Sequence, residues 1–254
     1  MTKLTATTLK TARDVILLRI DETRILVVGC DSTGAVGRKP FDALRVDPSI
    51  VGKFTARVAL MEVMAVGATP ISLSVALCVE PAPAGRDIMK GVRDELKASN
   101  LENVSLVQSS EKNFRVKQTS VGTTVNGLVE KHKLKIGKCR QDDWLVAVGT
   151  PMVGREVLEG DRTGAITDLN DTLNLLELPY VHEIIPVGSR GIFREANIIA
   201  RDSRLKFYPT NTARVNGKKS AGPATAIICA IDPQKLSRLG KEIDKPLSFV
   251  GELH

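Results

Sequence analysis

The chain has 254 residues, of which 43% are hydrophobic and 26% charged, a composition typical of a folded globular protein with one large or two small domains. No stretch approaches the roughly 18 uninterrupted apolar residues of a membrane-spanning helix, and residues 1–14 lack the apolar centre of a signal peptide, so we expect a cytoplasmic protein with no membrane partner. The net charge of +7 permits nucleic-acid binding, but only 4% of residues are aromatic and the basic residues are dispersed, which favours a solvated surface instead.

The cysteines and histidines are widely spaced. Cys30, Cys78, Cys139 and Cys229 have no short paired spacing, and three of them lie in apolar runs. This pattern favours reduced, buried thiols over a zinc site or a disulfide framework. The three histidines are equally scattered, which argues against a histidine-built metal site.

The first elements are β-rich. The runs VILLRI (15–20) and ILVVGC (25–30) are separated by the polar turn DETR, which predicts a hairpin whose second strand carries Asp31 at its C-terminal end. Residues 32–49 are rich in Gly, Pro, Asp and basic residues, so they are expected to form a long functional loop.

The next segments alternate between helix and strand. Apolar residues recur at helical spacing from Lys53 to Val66, and a strand follows at 71–79. An amphipathic helix is predicted over 84–99. Strands at 104–108 and 121–129 bracket the polar loop SSEKNFRVKQT, so the first half is an α+β unit that ends near residue 130.

A basic stretch, KHKLKIGKCRQDD, separates this unit from a second α+β unit, and we place the two domains at residues 1–135 and 136–254. The second unit is predicted to contain strands at 144–151, 184–187, 225–231 and 247–253 and helices at 153–159, 166–176, 193–200 and 233–243.

Three acids stand on separate predicted elements. Glu62 is the only charge between Val58 and Ile71, and a buried carboxylate needs either water or a cation. Together with Asp31 and Glu111 it offers the oxygen ligands that suit Mg²⁺, which proteins commonly hold with one or two carboxylates and substrate phosphates. Taken singly, each acid fits a surface or capping position at least as well.

Three polar segments could receive an anion. The loop DSTGAVGRKP supplies small residues and the cations Arg38 and Lys39, although it matches neither GxxxxGK[ST] nor GxGxxG and could be a plain glycine-rich turn. The cluster Ser109, Ser110, Glu111, Lys112 and Asn113 follows a strand and could equally be a solvated turn. The segment GSRGI (188–192) precedes a helix, which it could cap or equip with an anion site.

The order of these segments resembles the aminoimidazole ribonucleotide (AIR) synthetase, or PurM-like, superfamily over nearly the whole chain. The segments that carry the resemblance are Asp31 with GRK (37–39), GKFTARVALMEVMAVGATP (52–70), QSSEKN followed by QTSVGTTVNG (118–127), and SAGPATAIICAI. Glu62 stands where this family usually has Asp. The segments SSEKN…QTSVG and PVGSRGI are most similar to those of the α-ribazole kinase group, whose activity belongs to cobalamin salvage.

The resemblance implies a two-domain α+β architecture in which an N-terminal sheet-forming domain dimerises and a smaller C-terminal α+β domain follows. It implies ATP and Mg²⁺ as cofactors, with Asp31, Glu62 and Glu111 as metal ligands and Lys39, Ser109, Ser110 and Asn113 as ATP contacts. The expected activity is an ATP-dependent phosphotransferase, or small-molecule kinase, that acts on a nucleoside-like substrate as a homodimer. The alternative is a non-catalytic nucleotide-binding dimer of the same fold.

Overall fold

The computed structural model describes residues 7–254, with side chains from residue 13 onward. The chain forms two units, Met1–Met64 with Ala68–Leu134 and Ala65–Gly67 with Lys135–His254. Each unit combines one main β-sheet with helices, so the predicted α+β class is confirmed. Among the described residues, no helix is both long and apolar enough to cross a bilayer.

The first unit contains eight strands and two helices. The strands are β1 Thr7–Ala12, β2 Val15–Arg19, β3 Arg24–Gly34, β4 Val36–Gly37, β5 Leu44–Arg45, β6 Thr69–Leu77, β7 Ser105–Ser110 and β8 Ser120–Glu130. The helices are α1 Pro48–Ala65 and α2 Arg86–Ala98, with single helical turns at Pro81–Gly85 and Lys131–Lys133.

Six strands form the main sheet of this unit in the order β1-β2-β3-β8-β6-β7. All neighbours are antiparallel except β6 and β7, which are parallel and joined through α2. Burial alternates along the central strands, as expected when one face of a sheet is covered. Helix α1 lies close to the covered face because Gly29 and Gly127 leave room for Val63. A Cβ atom at Gly29 would lie 2.9 Å from one methyl carbon of Val63, and a Cβ atom at Gly127 would lie 2.5 Å from the other.

The two helices of this unit pack tightly. A Cβ at Gly52 would lie 1.9 Å from the Ile88 carbonyl oxygen, and one at Gly91 would lie 1.8 Å from the Ser49 carbonyl oxygen, so only glycine permits this approach. A buried Arg57–Glu95 ion pair joins α1 to α2 through bonds of 2.7 and 3.1 Å. The helices therefore form one layer held by close backbone contact and a two-pronged ion pair.

The opposite face of the sheet is more open in the single chain. Ile16 on β2 is 42% exposed and Val107 on β7 is 62% exposed, and Cys30 on β3 is also exposed. All four cysteines are free, but only Cys229 is buried. The prediction of buried thiols was wrong for Cys30 and Cys78, because Cys30 points to this open face and Cys78 lies exposed just beyond the end of β6.

Two predicted boundaries in this unit were wrong. Strand β3 continues through Asp31 to Gly34, since every residue from Arg24 to Gly34 pairs with β8, so Asp31 lies inside a strand and not at its end. Helix α1 begins at Pro48, five residues before the predicted start. Asp47 accepts hydrogen bonds from the Ser49 amide (3.0 Å) and hydroxyl (2.7 Å), which fixes the helix start.

The second unit forms an antiparallel sheet in the order β10-β12-β9-β13-β11. Its elements are β9 Trp144–Val148, α3 Glu156–Thr163, α4 Leu169–Glu177, β10 Val181–Pro186, α5 Ile192–Asp202, β11 Phe207–Pro209, β12 Ile227–Ile231, α6 Leu236–Glu242 and β13 Leu247–Leu253, with a single turn at Pro233–Lys235. Strands β10 and β12 are buried along their whole length, and Ile185, Ile199 and Ile228 belong to the core between sheet and helix. The short edge strand β11 was not predicted.

Candidate functional site

A cleft of about 260 Å³ lies at the C-terminal ends of the parallel strands β6 and β7. Ser109 and Ser110 line it from the end of β7, Cys78 lines it from the end of β6, and Glu111 and Val116 border it from the following loop. The carboxyl ends of neighbouring parallel strands are a common place for ligands in α/β structures. Three of the residues predicted from sequence, Ser109, Ser110 and Glu111, therefore share one concave surface.

Glu111 organises the loop beside this cleft. Its amide donates to the carbonyl oxygens of Leu77 and Val79, both at 3.1 Å, which ties the end of β7 to the end of β6. Its carboxylate Oε1 accepts from the amides of Asn113 (2.6 Å) and Phe114 (3.1 Å). Glu111 thus closes its own turn, while Asn113 and Phe114 are exposed to solvent.

Lys39 reaches the same end of the sheet from the segment that follows β3. Its ammonium forms an ion pair with Glu80, which lies two residues beyond Cys78. The hydrogen bond from Lys39 lowers the pKa of Glu80 below its usual value. The predicted phosphate-contacting lysine is therefore located next to the cleft, and in this structure its charge is paired with a carboxylate.

The backbone around Lys39 is fixed by a buried acid. Asp42 is 8% exposed and accepts from the Lys39 amide (2.7 Å), the Thr119 amide (2.7 Å) and the Thr119 hydroxyl (2.8 Å). Gly37 has φ +152°, and a Cβ there would lie 2.4 Å from the Thr119 hydroxyl oxygen. The segment 35–47 is thus held against the start of β8 through Thr119 and not as a free loop.

Asp31 lies on the helix-covered face of β3, opposite Thr123 of β8. Burial raises the pKa of Asp31 to about 6, and the nearby Asp14 carboxylate adds to this shift. A neighbouring hydroxyl pair joins Thr33 and Thr55 at 2.9 Å. Asp31 and the two threonines thus form a polar cluster beneath α1. The raised pKa of Asp31 indicates that its negative charge is not fully compensated there.

Asp31 lies two strands away from the β6 side of the cleft and three strands away from its β7 side. The register aligns Asp31 with Thr123, Val75 and Gln108 on successive strands. Three strand spacings of about 4.8 Å place the backbone of Gln108, next to Ser109, about 14 Å from that of Asp31. This backbone separation, and the lack of a metal-sized acid cluster among residues 13–254, argue against one ion shared by Asp31 and Glu111 in a single chain.

Glu62 lies on α1, one residue before Val63, and is 8% exposed. It already takes part in an interaction within the protein. Among the described side chains, residues 13–254, no three His, Cys, Asp or Glu residues come together in a way that could hold a metal ion. The assignment of Asp31, Glu62 and Glu111 as metal ligands therefore stays a prediction, and the single chain does not bring the three together.

The segment GSRGI in the second unit precedes α5, as predicted. Gly191 adopts φ +77°, and the Phe193 amide at the start of α5 donates to the Gly217 carbonyl oxygen at 2.9 Å. The amides of Arg194 and Glu195 turn back to the Gly191 carbonyl oxygen. Since backbone carbonyls already accept from these amides, the arrangement fits a helix start better than an anion site.

Two residues that organise the site were missed by the sequence predictions. Glu80 directly follows the strand predicted at 71–79, so it had the same signal, an acid after a strand, that drew attention to Glu111. Asp42 had no such signal, because its partner Thr119 is 77 residues away.

Comparison with known proteins gives one family match, which lies in the first unit. Residues 12–129 match the family model described as AIR synthase related protein, N-terminal domain. No curated protein sequence is similar enough to match this chain. The family match supports the predicted superfamily over residues 12–129 and leaves the α-ribazole kinase group a prediction.

Solved structures share the fold. AaThiL complexed with AMPPCP and TMP has a TM-score of 0.65 at 14% identity, with 95% of this chain and 84% of that chain covered. Thiamine-monophosphate kinase from Stenotrophomonas maltophilia has a TM-score of 0.62 at 17% identity, with 99% and 89% covered. The hydrogenase maturation protein HypE from E. coli has a TM-score of 0.66 at 14% identity, with 90% and 79% covered. At these identities the likeness concerns the fold.

Proposed function

Because residues 12–129 form an AIR synthase-related N-terminal domain, we propose that this protein is an ATP- and Mg²⁺-dependent phosphotransferase that acts on a small molecule. The observation that carries the proposal is the cleft at the ends of β6 and β7, where Ser109, Ser110 and Glu111 lie together and Lys39 reaches the adjacent Glu80. The fold neighbours AaThiL, complexed with AMPPCP, and thiamine-monophosphate kinase support a nucleotide as the ligand.

The side chains have distinct roles in this proposal. The hydroxyls of Ser109 and Ser110 donate to phosphate oxygens, and the Lys39 ammonium offsets phosphate charge once it leaves Glu80. Phosphoryl transfer needs mainly alignment and charge compensation, so a rigid cleft with few polar groups is chemically sufficient. Asn113 is exposed beside the cleft and serves as a further nucleotide contact.

Mg²⁺ would supply charge compensation along the phosphate chain, held by phosphate oxygens and carboxylates. Asp31 fits this role because its carboxylate is buried and its raised pKa marks a charge that a cation would stabilise. Glu111 Oε1 is used by its own loop, and Glu62 is already engaged. Asp31 and Glu111 are too far apart to share one ion in a single chain, so we assign them to separate positions along the bound nucleotide.

A homodimer forms part of the proposal. The open face of the first sheet carries exposed Ile16, Val107 and Cys30, and a second copy of the chain would cover these groups. The finer assignment of α-ribazole as phosphate acceptor, and of a role in cobalamin salvage, rests on the sequence segments SSEKN…QTSVG and PVGSRGI alone. The expected cytoplasmic location rests on the apolar pattern of the sequence.

The direct test incubates purified protein with ATP, Mg²⁺ and a panel of nucleoside-like alcohols that includes α-ribazole, and measures ADP and phosphorylated product. Replacing Ser109 and Ser110 together by alanine should weaken binding of the ATP analogue AMPPNP at least tenfold, since two phosphate-facing donors are lost. Ser105→Ala at the other end of β7 is the matched control and should bind normally. Equal AMPPNP affinity in the double variant and the control would refute the assignment of the cleft.

One observation favours a second candidate function, a nucleotide-binding dimer without turnover. Glu62 replaces the Asp that resembling proteins usually carry, and it is buried and engaged within the fold. One proposed metal ligand thus differs from the usual residue and is largely covered. AMPPNP binding in calorimetry without ADP formation across the acceptor panel would select this function over the kinase.

A further inference from the structure

The ammonium of Lys39 is already occupied in this structure. It forms an ion pair with Glu80, and both side chains are largely covered, with 19% of Lys39 and 27% of Glu80 exposed. The Lys39 amide is held separately by Asp42, which is itself bonded to Thr119. The backbone of Lys39 is therefore fixed from one side, while its side-chain charge is neutralised from the other.

A phosphate that binds Lys39 competes with the Glu80 carboxylate for the single positive charge of the ammonium group. Glu80 lies just beyond the strand end that borders the cleft, since Glu111 donates to the carbonyl of the neighbouring Val79. A carboxylate and a phosphate placed there repel each other and compete for one ammonium group. The exchange is a side-chain movement, because the hydrogen bonds of Asp42 keep the backbone in place.

We propose that Glu80 is an autoinhibitory residue that competes with nucleotide phosphates for Lys39, so that the Lys39–Glu80 ion pair sets the nucleotide affinity of the cleft. This inference rests on the proposed function, because it assumes that the cleft receives a phosphate chain. In addition, it describes an interaction that opposes nucleotide binding. In the free protein, Glu80 compensates the charge of the Lys39 ammonium until a polyanion of sufficient charge displaces the carboxylate.

The test is a double-mutant cycle on AMPPNP binding, measured by calorimetry with Mg²⁺ present. Glu80→Gln should tighten binding about threefold to tenfold, as expected for release from a partly covered ion pair. In the Lys39→Met background the same Glu80→Gln change should have no effect, because Glu80 acts through Lys39. Glu130→Gln is the matched control, since Glu130 is an acid of the same unit paired with Lys133 at the opposite end of β8 and should leave binding unchanged.

The outcomes separate this inference from the proposed function. If wild-type protein binds AMPPNP and Glu80→Gln binds equally or more weakly, the competition is refuted and the proposed function stands. If Glu80→Gln also tightens binding in the Lys39→Met background, the effect is general charge repulsion and the competition is again refuted.

Tripolyphosphate provides a second ligand for the same cycle. If no variant binds AMPPNP but Glu80→Gln binds tripolyphosphate more tightly through Lys39, the proposed function fails and the competition stands. If neither ligand binds to any variant, both are refuted. Melting temperatures of all variants verify that each protein is folded.

Discussion

Replacing Asp42 by alanine should destabilise the first unit strongly, because this carboxylate joins two segments that are distant in sequence. Asp42 accepts from the Lys39 amide, the Thr119 amide and the Thr119 hydroxyl at 2.7, 2.7 and 2.8 Å. Hydrogen bonds to a charged group contribute about 1.5–3 kcal/mol each, and such contributions overlap when they share an acceptor. The expected loss is about 3–5 kcal/mol, which is large beside a typical total stability of about 5–15 kcal/mol.

The measurement is urea unfolding followed by circular dichroism, with the fluorescence of Trp144 as a separate report on the second unit, where this single tryptophan packs against Phe249. Asp21→Ala is the matched control. Asp21 also accepts from two amides and a hydroxyl, those of Thr23 and Arg24, and in addition from the Arg24 guanidinium, but it does so in an exposed turn where water replaces lost bonds. Its replacement should have a much smaller effect.

Two results would refute this reasoning. If Asp42→Ala costs less than about 1 kcal/mol, the three bonds do not hold segment 35–47 in place. If Asp21→Ala lowers the free energy of unfolding equally, then burial is not the reason for the large contribution of Asp42 to stability.

Three further predictions concern charge, packing and thiol reactivity. Because the pKa of Asp31 is raised to about 6 in the folded protein, the ionised carboxylate destabilises the fold increasingly as pH rises from about 4 to about 6. In EDTA, Asp31→Asn should therefore be up to about 3 kcal/mol more stable than wild type at pH 8 and equally stable at pH 3.5. A stability difference in urea unfolding that does not change with pH would contradict this. Gly91→Ala should lower the free energy of unfolding by on the order of 3 kcal/mol or prevent folding. Gly122→Ala is the control and should melt like wild type, because the space around Gly122 is open. Similar melting temperatures for the two variants would show that α1 and α2 can separate without penalty. A thiol reagent should modify Cys78 in the native protein but leave Cys229 intact until unfolding, because Cys78 is exposed whereas Cys229 is buried and its thiol pKa is raised to about 12. Mass spectrometry after brief labelling identifies the modified residues.

The strands were predictable where apolar residues alternate or run together. The strand at 247–253 was predicted with its observed bounds, and the hairpin of β2 and β3 was also foreseen. The polar end of β3, DSTG, gave no such signal, because its pairing is decided by β8, about 90 residues later. A strand that is held by its neighbour and not by its own apolar pattern cannot be recognised from its own residues.

The start of α1 was predictable in principle. The sequence Asp47-Pro48-Ser49 combines an N-cap acid with proline in the first turn, which is a recognised helix start. The Gly, Pro and Asp content of residues 32–49 predicted a loop and obscured this start, although Ile50 and Val51 already lie in the first turn of α1. Local capping chemistry was the better indicator at this boundary.

The candidate site was predictable residue by residue but not as an arrangement. Ser109, Ser110 and Glu111 were found because they follow a strand, and they do line one cleft. The partners of Lys39 and Asp42 depend on contacts across 41 and 77 residues, and the separation of about 14 Å between Asp31 and the β7 side of the cleft depends on strand order. Such distances follow from topology, which a single sequence does not display.

The anchoring of segment 35–47 has a consequence for the kinetics of ligand capture. Backbone hydrogen bonds link Ala35 to Thr119 and Phe41 to Lys117, in addition to the bonds of Asp42. The entropy of ordering this segment is therefore lost during folding and not at each binding event. Association should be limited by diffusion and by one side-chain rearrangement, so crystal structures with and without nucleotide should superimpose closely along this backbone.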